Sequence, residues 1–124
     1  MTKWEVKRGD IIFCDLGIRT GSVQSGIRPC IVVSNDYGNT YSSTYIVVPL
    51  TTKHKPILPT HVEIEENSYA LCEQVTTVSE QQILRKKNYS VDMKIMKKIN
   101  NALRISMSLN VWEGERNEKV YNER

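Results

Sequence analysis

GSVQSGIRPCIVVSNDYGNTYSSTYIVVPLT, residues 21–51, decides the fold. It opens as a Gly- and Ser-rich loop, passes Pro29 into the apolar run Cys30 to Ser34 (CIVVS), and crosses a turn-forming cluster at Asp36 to Ser43 (DYGNTYSS). It then enters a second apolar run at Tyr45 to Leu50 (YIVVPL). Both runs are strand-length and rich in Val and Ile, whose branched side chains suit a pleated surface. A connection this short favours antiparallel neighbours, because a parallel pair needs a crossover of a dozen or more residues.

Outward from this stretch the pattern repeats. Asp10 to Asp15 (DIIFCD), His61 to Glu65 (HVEIE) and Tyr69 to Val78 (YALCEQVTTV) read as further strands, divided by the loops Gly17 to Gly26 and Thr52 to Thr60. Ser79 followed by Gln82 resembles a capping box for a short helical turn over Glu80 to Arg85. After Ser90 the period changes: Ile95, Met96, Ile99, Ala102, Leu103 and Ser106 recur at helical spacing, with Lys94, Lys97, Lys98, Asn101 and Arg104 opposite. Ser90 or Asp92 can cap this amphipathic helix. The expected architecture is α+β, mainly β: a bent antiparallel sheet curling towards a small barrel, then a helix that packs on it.

The chain has 124 residues, 40% hydrophobic and 25% charged, which suits one domain. We expect that domain over residues 1–111, and a polar, flexible tail over 112–124, where EGERNEKVYNER lacks apolar periodicity. No apolar run approaches the roughly 20 residues that span a bilayer, and MTKWEVKRGD lacks the apolar core of a secretion signal. Three cysteines, Cys14, Cys30 and Cys72, lie far apart in apolar runs, fitting buried thiols in a reducing cytoplasm better than disulfides or a zinc site. Net charge is +3, unevenly spread: Arg85 to Arg104 holds seven basic residues and one acid, which reads as a solvated helix face, whereas His61 to Glu80 holds five acids and no Lys or Arg.

Standard catalytic templates are absent: neither histidine sits in HExxH spacing, and there is no GxSxG or Gly-rich phosphate loop. His61 reads as a hydrogen-bonded structural residue. Arg28 stands at a strand's doorstep with Pro29 restricting its backbone, and a preorganised guanidinium fits phosphate. Pairing with a carboxylate such as Glu73 explains it equally well. Thr51, closing YIVVPL, is a functional hydroxyl or a turn cap.

VKRGDIIFCDL, GSVQSGIRPCIVVSND, IVVPLT, LPTHVEI, LCEQVTTV and MKIMKKINNALRISMSL, in this order over about residues 6–109, resemble the MazF/PemK/Kid toxins, closest to MazF proteins of Gram-positive bacteria. The resemblance implies an SH3-like or CcdB-like β-barrel with a C-terminal helix and a cytoplasmic homodimer. It implies an mRNA interferase of a toxin-antitoxin system, cutting single-stranded RNA without metal or cofactor and silenced by a MazE-like antitoxin. It makes Arg28 and Thr51 the catalytic pair at the scissile phosphate, giving 2′,3′-cyclic phosphate and 5′-OH ends, and sets Gly21, Ser22, Gln24 and Gly26 beside the RNA groove. Arg19, Thr20, Lys53 and Gln74 are further candidate RNA contacts, and Glu73 a candidate orienter of Arg28. Tyr37, Tyr41 and Tyr45 could stack on bases or simply pack. Ile105 and Leu109 are candidates for the dimer interface.

Two departures stand out. Val23 replaces the Glu common in the family's loop, and Leu71 and Glu73 occupy the positions of the Arg and Asp used by Kid-like members. The residues name no general base. A CcdB-like poison that binds gyrase, or an inactive RNA- or antitoxin-binding module, would share the fold. The GxRP arginine and the strand-end threonine favour the nuclease.

Overall fold

The computed structural model describes residues 4–53 and 58–109, so the expected tail over 112–124 lies outside the described residues. Seven strands, β1 (Asp10–Asp15), β2 (Ile27–Val32), β3 (Thr44–Thr51), β4 (His61–Glu65), β5 (Ser68–Leu71), β6 (Thr76–Ser79) and β7 (Ile83–Ser90), form one sheet. Two α-helices accompany them, α1 (Asp36–Tyr41) and α2 (Met93–Met107). The order is β4-β5-β3-β2-β1-β7, with β6 also on β3 and every pairing antiparallel. The expected α+β plan is present. Among the described residues no pairing joins β4 to β7, so the sheet stays open and does not close into a hydrogen-bonded ring.

Three local expectations change. Tyr69 to Val78 is two strands, each on its own stretch of β3: the first half of β3 pairs with β6 at Thr44 to Val47 and its end pairs with β5 at Leu50 and Thr51. The helical turn stops early. A 3₁₀ turn, Glu80–Gln82, carries the expected capping box, with Ser79 N–H donating to Gln82 Oε1 (2.7 Å), and β7 begins at Ile83. Arg85, Lys86 and Lys87 therefore lie on a sheet edge and not on a helix face. Arg85 stands over the Phe13 ring (3.8 Å) and Lys86 Nζ lies 3.6 Å from Asp10 Oδ2. Finally, DYGNTY is helix α1, capped by Asn35 and held by buried Asn39, whose amide donates to Ser34 O (2.9 Å).

The central strands bury both faces, which is why they read as near-continuous apolar runs. On one face Ile12, Cys14, Cys30, Val32, Tyr45 and Val47 meet Val78 and Ile83. On the other, Ile11, Ile31, Val48 and Leu50 meet Val62 and Ala70 of β4 and β5 and Met96, Ile99 and Ala102 of α2. Asp92, one of the two expected caps, starts α2 by accepting from Ile95 N–H (2.9 Å), and Ser108 ends it at φ +58°. Among the described residues no helix is long and apolar enough to cross a membrane.

Candidate functional site

Cys30, Ile31 and Val32 of β2 face Pro49, Val48 and Val47 of β3; the paired stretch ends there, and the same register extended by two residues brings Arg28 level with Thr51. Directly opposed residues of antiparallel strands share a face, with Cβ atoms about 4.5–5.5 Å apart. The pair sits mid-row at one end of the sheet: Arg28 also faces Cys14 of β1, and Thr51 faces Tyr69 of β5. Arg28 is half-buried and donates from Nε to Ser25 O (3.1 Å). Neither Nη is bonded to a described protein acceptor, so both can meet an anion. Thr51 is buried, and its Oγ1 accepts from Lys53 N–H (3.2 Å), which leaves the hydroxyl proton to donate elsewhere.

The loop joining β1 to β2 is closed at its base. Leu16 N–H donates to Gly26 O (2.9 Å) and Gly26 N–H to Gly17 O (2.8 Å), so the hairpin narrows immediately before Arg28. Gly26, at φ +74°, adopts a backbone that L side chains rarely take. Further along, the Gln74 carboxamide makes two bonds to the loop backbone: Gln24 N–H donates to Oε1 (2.9 Å), and Nε2 donates to Ser22 O (3.2 Å). Arg19 Nη1 donates to Gln24 O (3.2 Å). Gln24 itself is buried, and its Oε1 has no partner among the described residues.

The expected contact residues thus divide. Thr20, Ser22 and Lys53 are exposed, Lys53 next to Thr51 through its N–H, whereas Arg19, Gln24 and Gln74 are turned into the loop and brace it. Glu73 is seated away from Arg28: Thr60 Oγ1 donates to its Oε1 (2.9 Å), and its Oε2 lies 2.9 Å from His61 Nε2. The described bond that orients Arg28 goes to the loop carbonyl of Ser25, a partner that side-chain patterns do not disclose. His61 is the structural histidine expected of it. Tyr45 is buried and so unavailable for stacking. Tyr37 and Tyr41 are exposed on α1, which follows the far end of β2, about 15–20 Å from Arg28 at about 3.3 Å per residue.

All three cysteines are buried free thiols. A hydrogen bond with Cys14, and then burial, push the Cys30 thiol far above its usual range, while the charges of Arg19 and Arg28 pull the other way. Both guanidinium groups therefore act on one end of the core. Burial, with the Glu73 charge adding to it, pushes Cys72 up to about 12. Among the described residues no group of three or more His, Cys, Asp or Glu is placed to hold a metal ion.

An antiparallel sheet with a C-terminal helix, with Arg28 and Thr51 at one end of its central strands and a braced β1–β2 loop, defines a small α+β domain. Residues 7–107 match the family model described as PemK-like, MazF-like toxin of type II toxin-antitoxin system. The chain belongs to this family. It is 42% identical over 112 residues to the endoribonuclease MazF of Staphylococcus saprophyticus, covering 84% of this chain and 92% of that protein. It is 43% identical over 112 residues to the endoribonuclease EndoA of Bacillus subtilis, covering 84% and 96%. Among solved structures it is similar to a mycobacterial endoribonuclease in complex with its cognate antitoxin, with TM-score 0.72, 28% identity, and 86% and 98% of the two chains covered.

Proposed function

We propose that this protein is a sequence-specific endoribonuclease, the toxin of a type II toxin-antitoxin pair, and that Arg28 and Thr51 do its chemistry. The β2–β3 register carries the proposal: pairing runs from Val32↔Val47 to Cys30↔Pro49, and two further residues along it bring Arg28 level with Thr51. It is supported by relatives above 40% identity that are named endoribonucleases. The substrate's own 2′-OH attacks the adjacent phosphorus, the P–O5′ bond breaks, and the products are a 2′,3′-cyclic phosphate and a 5′-OH end. DNA lacks that hydroxyl and survives. The reaction as written needs no metal and no cofactor.

As phosphorus becomes five-coordinate, charge grows on its non-bridging oxygens, where the two Nη groups of Arg28 donate. Such preorganised donors are worth about 3–4 kcal/mol in oxyanion sites. A guanidinium has donors and no acceptor, so Arg28 acts by charge and hydrogen bonding and not as the base. The Thr51 hydroxyl holds the phosphate or the 2′-OH in line. Thr20, Ser22 and Lys53 meet the unstacked RNA, with Arg19, Gln24 and Gln74 acting from within the loop and Glu73 holding the β4 side of the site.

The protein works as a cytoplasmic homodimer silenced by a MazE-like antitoxin, a reading supported by the mycobacterial relative solved with its cognate antitoxin. Leu109, half-exposed beyond the end of α2, and partly buried Ile105 offer apolar surface to the second copy. The test is to incubate the purified protein, in EDTA, with a long single-stranded RNA and with its DNA counterpart, and to map new ends. We expect cuts in RNA alone, at one short sequence, with 5′-OH ends. Intact RNA would overturn the ribonuclease and favour a gyrase-binding poison or an inactive binder.

A further inference from the structure

We propose that Gln74 is a positioning residue that sets the shape of the β1–β2 loop and, through it, the aim of Arg28; this rests on the ribonuclease reading above. Three observations carry it. First, the carboxamide uses both ends on the same loop: Oε1 takes the Gln24 amide (2.9 Å), and Nε2 gives to the Ser22 carbonyl (3.2 Å), from about fifty residues away in sequence. A planar group that donates and accepts at once fixes the two peptide units relative to each other, as a strand partner would.

Second, Gln74 is itself rigidly based. Its backbone N–H donates to Leu71 O (2.9 Å) and its carbonyl accepts from Thr76 Oγ1 (3.0 Å), so it sits on the turn between β5 and β6, both paired to β3. The loop is thereby fastened to the strand that ends in Thr51. Third, the clamped residue is one step from the group that orients Arg28. Gln24 is followed by Ser25, whose carbonyl accepts from Arg28 Nε (3.1 Å), and Arg19 holds Gln24 from its carbonyl side (3.2 Å).

One side chain thus ties together the two halves of the site: the β3–β5–β6 side with Thr51, and the β1–β2 hairpin with Arg28. Gln74 is spent on this clamp and is not a reader of bases. Losing it frees Ser22 to Ser25, lets the Ser25 carbonyl drift, and loosens the guanidinium. A misplacement of about 1 Å in a reacting group can cost around 100-fold in rate.

The test compares wild type with Gln74→Ala and Gln74→Glu by two readouts. Residue-resolved amide hydrogen exchange reports the clamp, and single-turnover RNA cleavage in EDTA, alongside RNA affinity, reports its effect. For Gln74→Ala we expect the Gln24 amide to exchange at least tenfold faster while β2 and β3 core amides keep their protection. Cleavage should fall roughly 10- to 100-fold, with affinity changing several-fold less. Gln74→Glu keeps the acceptor for Gln24 N–H and loses the donor to Ser22 O, so Gln24 stays protected and the cleavage loss is smaller.

Unchanged exchange over residues 22–26 in Gln74→Ala would overturn the clamp. Faster exchange with undiminished cleavage would overturn its positioning role. Affinity and cleavage falling together by the same factor would make Gln74 an RNA contact instead. If wild type leaves RNA intact, the ribonuclease reading fails and the positioning role with it, while the exchange data still judge the clamp.

Discussion

Arg28 differs from an ordinary surface arginine in how little freedom it keeps. Its backbone precedes Pro29 and lies two residues after Gly26 at φ +74°, and its Nε is committed to Ser25 O while both Nη groups remain for an anion. A guanidinium so held presents a planar fork, which a lysine cannot imitate. We therefore expect Arg28→Lys to lose nearly as much single-turnover cleavage as Arg28→Ala, about 100- to 1000-fold, the range for removing one oxyanion donor. Thr51→Val, which keeps the shape and deletes the hydroxyl, should cost more than Thr51→Ser. Wild-type rates in Arg28→Lys would mean that charge alone suffices. Strand-end position and Pro29 singled out Arg28 and Thr51 in the sequence but left each with a structural reading too, and only the family resemblance proposed them as the pair at the phosphate. The hidden parts were the hydrogen-bond assignments. Glu73 is as near to the site in sequence as Gln74 is, yet one serves Thr60 and His61 and the other the loop, a choice made by the β5–β6 turn.

That turn is also where element-level reading failed, for a physical reason. YALCEQVTTV has strand composition throughout, and it is divided by pairing with two separate stretches of β3, so no local residue announces the break. β7 was obscured in the opposite way: as an edge strand it buries Ile83 and turns cationic side chains outward, which mimics a solvated helix face. Cys72 gives the β5–β6 break a measurable signature. It is fully buried beside Glu73, and its thiol, ordinarily near 9.0, is pushed up to about 12. Below pH 9 the thiol is protonated whether folded or unfolded, and its contribution is fully present. Between pH 9 and 12 the unfolded chain releases the proton and the folded chain keeps it, so stability falls as pH rises, by at most about 1.4 kcal/mol per pH unit. Urea midpoints measured from pH 8 to 11 should therefore fall less steeply in Cys72→Ala than in wild type. Equal slopes would show that this thiol ionises as easily inside the fold as outside it.

At the scale of the molecule, one three-stranded centre serves two cores. Alternation along β2 sends Val32 to the face shared with Val78 and Ile83, and Ile31 to the face covered by β4, β5 and α2. The alternation was masked in the sequence because both faces are buried, leaving CIVV uniformly apolar. Neither core can dissolve alone without exposing the back of the strands that support the other. The fold should then unfold as one unit despite its open sheet. We expect Ile31→Ala and Val32→Ala, neighbours in sequence with side chains in different cores, each to destabilise the protein by about 2–4 kcal/mol. Each should leave a single transition whose calorimetric and van't Hoff enthalpies agree. If Ile31→Ala instead split the transition, with α2 melting before the β1–β2–β3 centre, the helix would be a separately stabilised layer. The Arg28–Thr51 end, built from β2 and β3, would then outlast the covering of the opposite face, and cleavage would persist at temperatures where α2 had already unfolded.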